Sequence, residues 1–114
     1  MNFENVKDKL SEGFDSELAA NNDIDIDINV TVLSASQGKF SVSVHSGECN
    51  IMDRHLDKSD ITVGFTDENT MIEMFTQGAN PMSLVMGGRM TINGDLKKGK
   101  EIKGLFMKKQ EGKL

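Results

Sequence analysis

From Asp23 to Leu33 the chain alternates strictly, with Ile24, Ile26, Ile28, Val30 and Val32 on one side and Asp23, Asp25, Asp27, Asn29 and Thr31 on the other. Successive strand residues point to opposite faces, so this pattern predicts a long strand, dry on one face and wet on the other. Ser34 to Gly38 is turn-like, and Phe40, Val42 and Val44 then alternate with Ser41, Ser43 and His45, which predicts a hairpin. Gly47 ends that strand, Cys49 to Met52 forms a short third one, Asp53 to Ser59 is a charged loop, and Ile61, Val63 and Phe65 mark a fourth. Each strand has a single apolar face. An antiparallel or mixed sheet covered by helices on one side only is the expected outcome.

Elsewhere the apolar period is that of a helix. Phe3, Val6, Leu10, Phe14 and Leu18 recur at intervals of three and four and predict one helix over about residues 1–20. Thr66 or Asp67 can cap a helix whose apolar face holds Met71, Ile72, Met74 and Phe75, and Gly78 can close it. Asn80 then caps a short helix with Pro81 in its first position, where the missing N–H costs nothing, running to Met86. Gly87 and Gly88 break it, Arg89 to Asn93 alternates as a strand with Met90 and Ile92 on one face, and Asp95 caps a last helix. Leu96, Ile102, Leu105 and Phe106 share a side of that helix, while Gly99 and Gly104 interrupt it and make it the loosest element. The element order is α+β throughout.

At 114 residues the chain is expected to form a single domain, residues 1–114, able to bury roughly two-thirds of its unfolded surface. No apolar run is long enough to span a bilayer, no secretory layout opens the chain, and the lone Cys49 fits a reducing compartment, so a soluble intracellular protein is expected. Net charge is −5, but residues 95–114 hold seven lysines against three acidic residues, while residues 1–94 hold six basic against fifteen acidic. The basic end reads as a solvated helix face, or as a docking face for an anionic membrane surface or a partner enzyme. Nucleic acid is not an expected partner, because the body is acidic and there is neither Trp nor Tyr to stack on bases.

Candidate chemistry is sparse. The aspartates of the first strand lack the glycine and glutamate of a calcium loop, where Ile28 and Ser34 stand instead. His45, Cys49, Asp53 and His55 supply catalytic or metal-ligating types without a spacing that makes them converge, so neither a Cys/His enzyme nor a metal centre is expected. Gly87-Gly88 precedes a strand rather than a helix and is no phosphate loop. The methionines say more: there are eight, and Met71, Met74, Met82, Met86 and Met90 crowd into twenty residues. Flexible thioethers fill irregular cores, and they also suit an apolar cavity that accepts several ligands.

Taken in order, Asn80-Pro81, Leu84-Val85-Met86, Gly88-Arg89, Met90-Thr91-Ile92, Gly94-Asp95 and Leu105-Phe106 resemble the most recognisable segment of the sterol carrier protein type 2 family. The resemblance runs from about Asp60 onward; before that it is one of element order alone. It implies a five-stranded mixed, largely antiparallel sheet covered on one face by helices that enclose an apolar tunnel. Function would be non-enzymatic binding and transfer of fatty acids, fatty acyl-CoA or sterols, without a cofactor, or presentation of a lipid substrate to a partner enzyme. Carried onto this chain, the wall would comprise Met71, Met74, Phe75, Leu84, Val85, Met86, Met90, Ile92, Ile102, Leu105 and Phe106. Where the family often has Trp, an acidic and a basic residue on the second strand, this chain has Phe40, Ser43 and His45; Val85 replaces a common aromatic, Arg89 a lysine and Gly99 a small helix former. The final Gly112-Lys113-Leu114 is close to the Ser-Lys-Leu peroxisomal address carried in related form by several members, which implies an import receptor and the peroxisomal matrix in a eukaryote, and otherwise the cytoplasm.

Overall fold

The computed structural model describes residues 2–35, 38–102 and 104–108. Two helices, α1 (Phe3–Gly13) and α2 (Ser16–Asn21), lead into β1 (Ile26–Val32), β2 (Lys39–His45), β3 (Glu48–Met52) and β4 (Ile61–Phe65). Then come α3 (Glu68–Thr76), α4 (Pro81–Met86), β5 (Met90–Gly94), α5 (Leu96–Gly99) and a 3-10 turn at Lys100–Ile102. The sheet has five strands in the order β3-β2-β1-β4-β5; only β1 and β4 run parallel.

Alternation sets the layers. Ile26, Ile28, Val30 and Val32 pair laterally with Phe40, Val42 and Val44 on one side and with Ile61, Val63 and Phe65 on the other, and all are buried. The helices lie over this face: Val6 and Leu10 of α1, Met71 and Phe75 of α3 and Leu84 of α4 are buried in the same cluster. Fully burying one such side chain contributes about 1.5–3 kcal/mol, so the cluster dominates stability.

The other face is not bare. Because β3 is an edge strand and β4 lies beyond β1, residues 53–60 must return across the sheet, and they do so over its polar side. Asn29 fastens this strap at both ends of its amide, donating from Nδ2 to the carbonyl of Leu56 (3.0 Å) and accepting from the Leu56 N–H at Oδ1 (2.7 Å). Farther along, the Asp60 carboxylate accepts from the Asp27 N–H at 2.8 Å.

Three expected elements differ. The first helix stops at Gly13 and restarts at Ser16, with Asp15 Oδ1 capping the Leu18 N–H at 3.0 Å; the apolar stripe runs through the corner, so periodicity alone hides it. The first strand begins at Ile26 rather than Asp23, because Asp23 takes a positive φ of 50° and ends the preceding turn. The last helix shrinks to four residues and a 3-10 turn, and Leu96 is 61% exposed instead of sharing the buried side with Ile102, Leu105 and Phe106. Asp95 does cap it, accepting from the N–H groups of Lys97 and Lys98.

Candidate functional site

The apolar interior lies between the sheet and a roof made by α1, α3, α4 and the side chains of Ile102, Leu105 and Phe106. Each roof element is placed by its ends. Asp67 accepts from the Thr70 N–H (2.8 Å) and the Thr70 hydroxyl (2.9 Å), which starts α3 so that Met71, Met74 and Phe75 face inward. These bonds stabilise the charged carboxylate and hold Asp67 below the usual carboxylate range, the backbone bond first. Gly78, at φ 73°, lets the chain reverse, and Asn80 accepts from the Met82 N–H at 2.9 Å to start α4. Arg89 ties β5 to α3, donating from Nη2 to Thr70 Oγ1 (2.7 Å) and Glu73 Oε2 (2.8 Å).

Inside, the rings form a relay from the α1–α2 corner to the sheet. Phe14 meets Phe106 at 5.7 Å between centroids, Phe106 meets Phe75 edge-on at 5.5 Å, and Phe75 meets Phe65 at 6.0 Å. Tilted and edge-on pairs add about 0.5–1.5 kcal/mol each beyond burial.

Of the expected wall, Met71, Met74, Phe75, Leu84, Met90, Ile102, Leu105 and Phe106 are buried in this interior, and Val85 and Ile92 pack partly buried against it. Met86 is elsewhere: it is 83% exposed, because a helix of six residues that buries Leu84 turns Met86 outward. The interior also recruits Val6 and Leu10 of α1 and the whole apolar face of β1 and β2, which the wall residues omit although the α1 stripe marks them. Among the described residues these side chains pack against one another, and the expected tunnel is not seen. Gly112, Lys113 and Leu114 lie outside the described residues.

The Cys/His residues are separated. The His45 ring lies between the carboxylates of Asp25 and Asp27, with Nε2 2.8 Å from Asp27 Oδ1, while His55 Nε2 donates to the Val30 carbonyl at 2.9 Å. Cys49 is free, and burial pushes its thiol up to about 12. Among the described residues, no three His, Cys, Asp or Glu side chains are grouped to hold a metal ion, and no helix is long and apolar enough to cross a membrane.

Solved structures share this architecture at low identity. The stereoselective inverting sec-alkylsulfatase Pisa1 from Pseudomonas sp. superposes with a TM-score of 0.73 at 18% identity, over 89% of this chain and 16% of that one. This chain therefore spans only a small part of that enzyme's length. A UbiJ-SCP2 ubiquinone synthesis protein gives 0.58 at 12% identity, over 73% of this chain and 70% of that one. The apo form of Sterol Carrier Protein 2 from Yarrowia lipolytica gives 0.53 at 14%, over 91% and 88%. A search of curated protein sequences finds no match. The model of the SCP-2 sterol transfer family matches residues 14–107, from the corner between α1 and α2 to the end of the roof, and the chain belongs to that family.

Proposed function

We propose that this chain binds an apolar lipid, a fatty acid, fatty acyl-CoA or sterol, between its sheet and its helical roof and passes it on without chemistry. The observation that carries this reading is the one-sided apolar sheet roofed by Met71, Met74 and Phe75 of α3 and by Ile102, Leu105 and Phe106, within the span that matches the family model. Each methylene taken from water contributes about 0.8 kcal/mol, and such contacts are nondirectional, so several lipid classes should compete. Because the roof packs directly on the sheet, entry requires the roof to lift. Flexible Met71 and Met74 can repack around an acyl chain where branched residues could not.

Displacement of a fluorescent fatty acid by unlabelled fatty acid, acyl-CoA and sterol tests the reading. Saturable binding with a Kd on the order of 1 μM, displaced by more than one class, supports it. Delipidated, folded protein that binds none of them refutes it.

A second reading, an accessory module that presents lipid to an enzyme, is favoured by the alkylsulfatase match, in which the shared fold is 16% of a longer chain. Its docking face would be the basic segment bearing Lys97, Lys100 and Lys103, the last outside the described residues, and reversing those charges should abolish a complex with the partner while leaving lipid binding intact.

A further inference from the structure

On the polar side of the sheet, at the end of β1 and the start of β2, a cleft of about 590 Å³ opens between Leu33, Ala35, Gly38 and Lys39 on one side and the start of the strap on the other. Such a volume falls within the range of small-molecule sites. Two cations converge there from separate elements: Lys39 opens β2, and Arg54 opens the strap. They are two of only six basic residues in the first 94, a stretch with fifteen acidic ones. Neither makes an ion pair among the described residues, whereas Arg89 and Lys98 do. Arg54 has Met52 Sδ as its partner at 3.7 Å, a weak acceptor that leaves most of the guanidinium's donors unused. Among the described residues, Asp53 is the one acidic residue of the lining.

The rest of the cleft is shaped rather than charged. The Val30 carbonyl can only accept, so His55 Nε2 carries its hydrogen and is committed to that bond, fixing the ring as a wall beside Thr31. Leu33, 70% exposed, and Ala35 give the opposite side an apolar surface.

We propose that this cleft is a second binding site, for a small organic anion whose oxyanion head pairs with Lys39 and Arg54 while a short apolar body covers Leu33 and Ala35. Bidentate guanidinium pairing suits a carboxylate, sulfonate or sulfate ester. The sheet separates the cleft from the apolar interior, so this proposal stands independently of lipid carriage.

Titration of the ¹⁵N-labelled chain with hexanesulfonate, followed by amide shifts, tests it, with hexanol and inorganic sulfate as controls. The amides of Leu33, Gly38, Arg54 and His55 should move saturably with a Kd on the order of 1 mM, and the double variant Lys39→Gln, Arg54→Gln should weaken binding by about tenfold or more. Both side chains are exposed, so the variant's spectrum should keep its dispersion. Equal response to hexanol, an unaltered Kd in the double variant, or shifts confined to amides such as Phe75 and Leu105 would each overturn the site. Equal affinity for inorganic sulfate would mean an adventitious ion only, and would overturn it too.

Discussion

Gly13 and Phe106 touch through their backbones: a Cβ on Gly13 would collide with the Phe106 carbonyl oxygen and stand 2.9 Å from its carbonyl carbon. Two hydrogen bonds flank the contact, Asp15 N–H to the Leu105 carbonyl at 2.8 Å and Lys108 N–H to the Gly13 carbonyl at 2.9 Å. The end of α1 and the C-terminal roof are thus held together main chain to main chain. Helix propensity alone would make Gly13→Ala stabilising by up to about 1 kcal/mol. Here the collision is with backbone, which cannot swing away, and overpacking of this kind costs about 1–3 kcal/mol. A lower urea midpoint with unchanged slope for Gly13→Ala is the expected result.

That contact marks the boundary of what the sequence makes legible. Alternation in Asp23–Leu33 and at Phe40–Val44 is local, and so are Asn80-Pro81 and the glycines at 78 and 88; these features gave the strands, the covered face and the α4 start. The split between α1 and α2 depends on Leu105 and Phe106, some ninety positions away, and a stripe that continues through the corner conceals it. Likewise α4 is too short to bury both Leu84 and Met86, which composition cannot say. The strap's crossing over the polar face follows from strand order, and local pattern does not specify strand order.

Asn29 fastens the strap, and its two bonds to Leu56 satisfy that residue's backbone N–H and C=O, which belong to the two part-buried peptide groups on either side of its Cα. Asn29→Ala should cost about 1–3 kcal/mol, the penalty of leaving those groups unpaired. Faster hydrogen exchange at the Leu56 amide, with the β2 amides unchanged, would place the loss in the strap.

Asp67 makes stability depend on pH in a defined direction. Its pKa is lowered in the folded protein from an ordinary 3.8, chiefly by the Thr70 backbone N–H and then by the Thr70 hydroxyl. A lowered folded pKa means stabilisation that is fully present above the unfolded value and is lost as pH falls through the folded one. Asp67→Asn keeps an accepting oxygen but does not titrate, so the variant's urea midpoint should fall less than the parent's between pH 5 and pH 3, both pH values being about one unit either side of the carboxylate range. Asp67→Ala should lose about 0.5–2 kcal/mol at neutral pH as well, as an N-cap removal does.

Cys49 should be a slow nucleophile. Burial raises its thiol to about 12 from 9.0, so little thiolate exists at pH 8 in the folded chain. Alkylation by iodoacetamide is expected to be more than about tenfold slower in the native protein than in urea, since the thiolate is the reacting form. Equal rates in the two states would show that the side chain is not held in its apolar setting beside β2.

On the proposed lipid-carrying function, entry should begin where Phe106 meets Gly13. Residues 104–108 are joined to the α1–α2 corner by two backbone hydrogen bonds, and the Phe106 ring between Phe14 and Phe75 is the side chain that an incoming chain must move. A lipid lodged against Met71 and Phe75 would part Phe106 from Gly13 and release both bonds. The amides of Asp15 and Lys108 should then exchange faster in palmitate-loaded protein than in lipid-free protein, while those of β1 and β2 stay protected. The packing that closes the interior is apolar and gives way at a cost that burial of an acyl chain offsets, whereas the sheet's ladder would lose hydrogen bonds with no replacement. Loaded protein with unchanged exchange at Asp15 and Lys108 would move the entrance elsewhere, to the α3–α4 junction, where Met107 lies beside Gly78.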